Sequence, residues 1–509
     1  MNLIILWGFE IPSDSLNKLF KELKVNFCGF LSNQGKIDPP DGNIEWDILD
    51  MDRAFPEYED MQSELLPLDE DIIIKMQKFE VTAMDVIYRW RRSITTQEDY
   101  KEIRRIYFIL LRYWNDYIIN HKINGLILHN VPHAHTTYML YALCKAYDIP
   151  VIFSMLMPII KGGYLNKYLA SGIEEIGLDF IELYYENAEK YRNADEDSIS
   201  LSSNFQLYFN EYLKRNDDVG RVIVFENKKN LHNLVKLINV YKQRSMIYIS
   251  QKRYRILANK AFNLLKIRIH KSEILGYEEK LEQEPDLDKK FVFFPLHCQP
   301  EASTLPLSGI YNDQLLIINL VSSLLPEGVL LYVKEHPAYW NLDQRYESVK
   351  ESRSKAYYDS ICKLKNVRLI KHEYSSLKLI DNCYCLVTAT GSAGLEALFR
   401  NKPVLIFGNT FYSYSKGAYR IHNREDCRKA IDEIFGDEKV EITKKDLKIL
   451  FHTLESMAIS IGVGEGSHLD GYPDMSDEEC ARMTVAGWLH FIDLKYKYLI
   501  REGNNPPIK

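Results

Sequence analysis

The sequence predicts an α/β protein of two Rossmann-like, doubly wound domains with a cleft between them. Three observations point there. The chain has 509 residues, more than one hydrophobic core serves at about 150 residues per domain. Two separate series of short apolar strands alternate with helical patterns, as a sheet covered on both faces requires. Finally, 46% apolar and 27% charged residues, with 24 Gly and 18 Pro, exclude disordered, collagenous and low-complexity classes, and the length excludes a small binding module.

The first series opens with a strand at Asn2–Trp7, a helix at Ser13–Lys24 with Ser13 as N-cap, and a strand at Val25–Leu31, a β-α-β start. Over 98–120, Ile103, Ile106, Tyr107, Leu110, Leu111, Trp114, Tyr117 and Ile118 follow the 3-4-3 spacing of a helix with one buried stripe. A short buried strand at 125–129, a helix at His135–Tyr147 and a strand at 150–155 follow. This half reads as a parallel sheet wrapped by helices.

The second series has strands at 291–296 (FVFFPL), 329–334 (VLLYVK), 367–370 (VRLI), 384–389 (YCLVTA) and 403–407 (PVLIF). Helices are expected at 311–325, 345–364 and from Gly394. The resulting division is 1–225, an N-terminal Rossmann-like domain; 226–289, a basic connector; 290–440, a C-terminal Rossmann-like domain; and 441–509, a helical extension.

With 64 basic and 71 acidic residues the net charge is −7, which offers no global attraction to nucleic acid. The charge is uneven, because 227–272 holds twelve Lys or Arg and no Asp or Glu. Tyr254, Leu257, Ala261 and Leu265 share a helical face there, a pattern that suits an anionic membrane surface or simply a solvated connector. Eight scattered Cys without CxxC spacing argue against a disulfide framework and fit a reducing compartment. The N-terminus lacks a basic region and a long apolar stretch, and no run of 18 apolar residues occurs. The expected address is the cytoplasm or the inner face of the cytoplasmic membrane.

In open α/β sheets, ligands bind beyond the carboxyl ends of strands. Three exits in the second half are polar: His297-Cys298-Gln299-Pro300-Glu301 after the first strand, Glu335-His336-Pro337 after the second, and Thr390-Gly391-Ser392-Ala393-Gly394-Leu395-Glu396 after the fourth. Thr388, Thr390, Gly391 and Ser392 lead into a helix, where small residues let backbone N–H groups and hydroxyls approach an anion; the same turn is also ordinary capping. Lys334 and His336 would add positive charge or donors. Glu396 is placed to accept from ribose hydroxyls, and Glu301 is a candidate base or nucleophile.

In the first half, His129, His133 and His135 follow the strand at 125–129 and are expected on the acceptor side of the cleft. They raise a zinc question, but no acidic or Cys partner accompanies them, so no metal is expected. The acidic triplets at 69–71, 195–197 and 286–288 follow no buried strand, and no Walker A, GxSxG or HExxH motif occurs.

The stretch FVFFPLHCQPEASTLPLSG, then DQLLIINLVSSLLPEGVLLYVKEHP and LVTATGSAGLEALFRNKPVLIFG, resembles bacterial capsular-polysaccharide synthesis proteins, the group that includes the Kdo transferases of capsule assembly. The resemblance covers roughly 290–410, and 125–160 more loosely. It implies a GT-B glycosyltransferase with the donor bound by the C-terminal domain and the acceptor by the N-terminal one. It also implies that Gln299-Pro300 and His336-Pro337 are the family's short QP and HP motifs at the donor side. The segment TATGSAGLEALFRNKPVL is also similar to those of teichoic-acid polyol-phosphate transferases and UDP-sugar 2-epimerases.

The resulting expectation is a metal-independent glycosyltransferase of bacterial surface polysaccharide, without a cofactor. It would use a nucleotide-sugar donor, CMP-linked sugars among the candidates, and a glycan or lipid-linked glycan acceptor. Gln299, Lys334, His336, Thr388, Thr390, Gly391, Ser392 and Glu396 would bind the donor and His129, His133 and His135 the acceptor, with Glu301, His133 and His336 as catalytic candidates. A polyol-phosphate transferase or epimerase on the same fold, and a non-catalytic membrane-docking scaffold of polysaccharide export, are the alternatives.

Overall fold

The computed structural model describes residues 1–6, 13–32, 44–50, 55–91, 100–157, 167–214, 272–299, 301–337, 353–459 and 477–495. The basic stretch expected at 227–272 lies almost wholly outside them, as does Pro300.

Two sheets carry the chain. The first uses β1 (Asn2–Leu6), β2 (Phe27–Ser32), β3 (Glu45–Asp50), β4 (Gly125–Leu128), β5 (Val151–Leu156), β6 (Lys167–Ala170) and β13 (Ala458–Ile459), in the order β13-β6-β5-β4-β1-β2-β3. The five strands from β3 to β5 are parallel, whereas β6 runs antiparallel to both of its neighbours, β5 and β13, a departure from the all-parallel expectation. Only ten residues separate β5 from β6, too few for the helical crossover that a parallel pair needs.

The second sheet, β12 (Ala418–Arg420), β11 (Val404–Ile406), β10 (Leu386–Thr388), β7 (Phe291–Pro295), β8 (Leu330–Lys334) and β9 (Val367–Ile370), is parallel throughout and runs in that order. Five of its strands are the predicted ones, at most two residues shorter at either end, and β12 is an addition that the sequence reading did not include. Both sheets reverse winding direction beside their first strand, at β1/β4 and at β7/β10. Those switch points leave a crevice at the strand carboxyl ends.

The helices are α1 (Ser13–Leu23), α2 (Phe55–Asp60), α3 (Glu70–Arg91), α4 (Tyr100–Asn120), α5 (His135–Ala146), α6 (Ile181–Lys190), α7 (Ser203–Lys214), α8 (Gln314–Ser322), α9 (Lys355–Cys362), α10 (Ser376–Asn382), α11 (Ser392–Leu398), α12 (Arg424–Phe435), α13 (Lys444–Glu455) and α14 (Asp477–Lys495). In α4 the expected stripe from Ile103 to Ile118 is buried. Side chains fix several starts, as the orphan N–H groups of a first turn require. Asp313 accepts from Leu315 N at the head of α8, Ser354 from Tyr357 N at α9, and Thr443 with Asp446 forms a capping box at α13.

The tail, expected as a helical extension, returns to the N-terminal half. Asn187 of α6 donates to Thr453 of α13 at 3.0 Å, β13 pairs with β6, and Phe491 of α14 stacks edge-on against Phe180. One apolar core, running from Leu3 and Phe30 through Phe205 and Phe209 to Leu395 and Phe451, joins the N-terminal sheet to one face of the second. A second core, with Val292, Phe294, Leu331, Val333 and Ile361, covers the other face.

Candidate functional site

The two strand exits at the β7/β10 switch point are clasped together. His297, just past β7, is buried, and its Nε2 faces the Thr388 hydroxyl at 3.1 Å and the N–H groups of Ala389 at 3.2 Å and Thr390 at 3.4 Å. A nitrogen facing three donors must present its lone pair, which places the proton of a neutral ring on Nδ1. Burial, then the charges of His336 and Arg353, hold the imidazole neutral by lowering its pKa to about 3. The Thr388 hydroxyl oxygen in turn accepts from Gly391 N at 2.8 Å.

This turn tolerates no extra atoms. A Cβ on Gly391 would stand 2.9 Å from His297 Cε1, and one on Gly394 would stand 2.3 Å from the Tyr412 hydroxyl oxygen. That hydroxyl donates to the Gly391 carbonyl, so Gly394 makes room for the side chain that braces the turn. Gly394→Ala is therefore expected to destabilise the protein by about 1–3 kcal/mol, read as a lowered urea midpoint.

The loop after Glu301 closes on the same turn. Thr390 donates its hydroxyl to the Ser303 carbonyl, and Ser303 donates to Glu301 Oε2 at 3.2 Å, leaving the Glu301 carboxylate partly buried at the rim. Ser392, which begins α11, and Glu396, past its first turn, are both partly exposed.

The β8 exit joins through buried polar groups. Glu335 and Arg353 form a fully buried ion pair, with Nε to Oε2 at 2.6 Å and Nη2 to Oε1 at 3.1 Å. Arg353 Nη1 donates to Gln299 Oε1 at 3.0 Å and Nη2 to the His297 carbonyl at 3.2 Å. Glu335 also accepts from the His336 N–H at 2.8 Å and the Tyr358 hydroxyl at 2.9 Å. Beside this pair lies Glu278, wholly buried in helical residues 272–278. Burial first, and the Glu335 carboxylate second, push its carboxyl up to about 10 against the pull of Arg353.

Gln299 thus sits inside the network, while Lys334 turns to the opposite sheet face and donates to Ser376 Oγ at 2.8 Å, buried beside α10. On the N-terminal side, His129 Nδ1 donates to the Leu6 carbonyl at 3.2 Å, bridging the exits of β1 and β4, and its own carbonyl accepts from Lys167 at 3.1 Å. Burial, then Lys167, lowers the His129 pKa to about 4; burial also lowers Lys167 to about 8 and His135 to about 4. His133 Nδ1 lies 2.7 Å from the Val131 carbonyl. Arg89 of α3 donates to the carbonyls of His133 and, at 2.9 Å, Leu305, tying the histidine loop of one half to the loop after Glu301 in the other. His135 is buried at the head of α5.

The segment that follows His297 and carries Thr388 has relatives. Residues 298–429 match the family described as capsule polysaccharide biosynthesis protein. That match runs from the β7 exit to α12 and bears out the resemblance read from the sequence there. No curated protein matches the chain. Among solved structures, the chain is similar to a UDP-GlcNAc 2-epimerase from Methanocaldococcus jannaschii, with 11% identity, TM-score 0.26, and coverage of 96% of this chain and 100% of that one. It is similar to the beta Kdo 2,7 transferase KpsC of Thermosulfurimonas dismutans, with 11% identity, TM-score 0.27, and coverage of 82% and 96%. The beta Kdo 2,4 transferase of the same organism gives 13% identity, TM-score 0.28, and coverage of 67% and 82%.

Sequence reasoning missed His297, Gln314, Glu335 and Arg353 as site-building residues. His297 and Glu335 stand at strand exits already singled out, so position alone would have found them. Gln314 lies at the head of a helix and Arg353 in a charged stretch; neither carries a local mark.

Proposed function

We propose that this chain is a metal-independent glycosyltransferase of GT-B type that moves a sugar from a nucleotide-activated donor to a growing capsule-type polysaccharide. The observation that carries this reading is the His297–Thr388 clasp, which joins two polar strand exits at a topological switch point, with Thr388 inside the capsule-family match and His297 one residue before it. The nucleotide would lie against His336, Gln299 and the 388–396 turn, with Lys334 supplying charge from below and Glu396 near the ribose. The acceptor hydroxyl would approach from the histidine loop, and Glu301 or His133 would take its proton. Arg89, which holds both loops, supports that placement. Leaving-group charge would fall to fixed protein donors. Among the described residues no helix is long and apolar enough to cross a membrane; contact of the 227–272 segment with an anionic membrane surface belongs to the same proposal.

A thermal-shift screen of the full chain against CMP, CDP, UDP and GDP tests it, with His336→Ala alongside. A ligand held only by the native state adds about 2.7 kcal/mol at a hundred times its Kd, so one nucleotide should raise the melting temperature of the wild type and not of the variant. CMP would favour Kdo or another ulosonic acid, CDP a polyol phosphate, and UDP or GDP a hexose. No shift at millimolar concentration would overturn the reading in favour of a non-catalytic scaffold.

A further inference from the structure

One guanidinium reaches three groups on two strand exits. Arg353 grips the Glu335 carboxylate through Nε and Nη2, the Gln299 side chain through Nη1, and the His297 backbone through Nη2. Each contact is passed on. Glu335 Oε1 takes the His336 N–H, Gln299 Oε1 also receives Gln314 Nε2 at 2.8 Å, and Gln314 Oε1 takes the His297 N–H at 2.7 Å. The planar fork of arginine fixes directions as well as distances, which the point charge of lysine does not. A buried ion pair adds little net stability over well-packed apolar side chains. What this pair supplies is the relative position of the Gln299 and His336 segments.

We infer that Arg353 is a positioning residue of the nucleotide site, setting the Gln299 and His336 segments against each other without touching the ligand. The inference rests on the nucleotide-sugar reading above. Pre-set geometry lowers the ordering cost of binding, and errors of about 1 Å in such a site cost up to about a hundredfold. Loss of the fork should therefore appear as lost affinity in a folded protein.

Two variants separate that role from simple packing. Arg353→Lys keeps the charge and loses the fork. The double variant Glu335→Gln with Arg353→Met removes both charges together, leaving neither partner charged and alone, and should fold. Calorimetric titration of CMP, CDP, UDP and GDP onto the full chain, well below its melting temperature, reads the result. The nucleotide that binds wild type is expected to lose about tenfold or more in affinity in both variants. Unchanged affinity in either folded variant overturns the inference, as does failure of both to fold, which would make the role one of stability alone. A wild-type chain that binds none of the four nucleotides removes the glycosyltransferase reading itself and the inference with it, a result distinct from binding that survives the substitutions.

Discussion

Glu335→Ala is expected to cost about 3–5 kcal/mol of stability, because it strands a wholly buried guanidinium. The loss is compound. Arg353 loses both carboxylate bonds, and the Tyr358 hydroxyl and His336 N–H lose their acceptor. Glu278 modulates the outcome, since the Glu335 charge, after burial and ahead of the Glu282 charge, helps to keep its proton on. With Glu335 gone, Glu278 is freer to ionise and take over the arginine, and alkaline solution favours that replacement. The deficit in urea midpoint should therefore be larger at pH 5 than at pH 9. A deficit below about 1 kcal/mol at both values would mean that the pair is exposed to water in solution.

Five strands of the second sheet were legible because each is a nearly unbroken apolar run, as a sheet covered on both faces demands, whereas β12, three partly buried residues reading AYR, was not. β7 reads FVFFP with its first four residues buried, and β8 reads LLYVK with its last four buried. β6 and β13 were not legible. KYLA is four residues long and opens on a lysine, and β13 has two residues, so neither carries a period. Their pairing is set by how the tail folds back, a tertiary choice that leaves no local trace. The β13 pairing with β6 and the docking of α13 against α6 belong to the same class, decided by contacts across more than 250 residues of sequence.

The candidate site divides along the same line. Its exits were legible from topology, since polar loops after buried strands at a switch point can hardly avoid one another. The histidine loop was legible in the same way. What was hidden is the wiring. Arg353 meets Gln299 across 54 residues and His297 across 56, and Arg89 reaches Leu305 across 216. Periodicity marks the face of a helix that is buried but not which charged side chain at its end will cross to another half. Glu278 shows the limit most clearly. In the sequence it is one acid among Glu273, Glu279 and Glu282, and only its complete burial beside a second carboxylate sets it apart.

That burial gives Glu278→Gln a pH-dependent effect that is easy to read. The folded-state pKa, about 10, lies above the usual 4.5, so the folded protein keeps a proton that the unfolded chain releases. Below about pH 4.5 both states hold it and the group adds no pH dependence. As pH rises from there toward 10 the unfolded state binds fewer protons than the folded one, and stability falls, by at most about 1.4 kcal/mol per pH unit for a single group. Glutamine has the shape of the protonated acid and no proton to lose. Glu278→Gln should match wild type near pH 4.5 and exceed it increasingly toward pH 9, with the Arg353–Glu335 pair left in place. Urea midpoints of both proteins across that range decide the matter. Parallel curves would mean that Glu278 ionises within the fold, leaving two carboxylates to share one arginine.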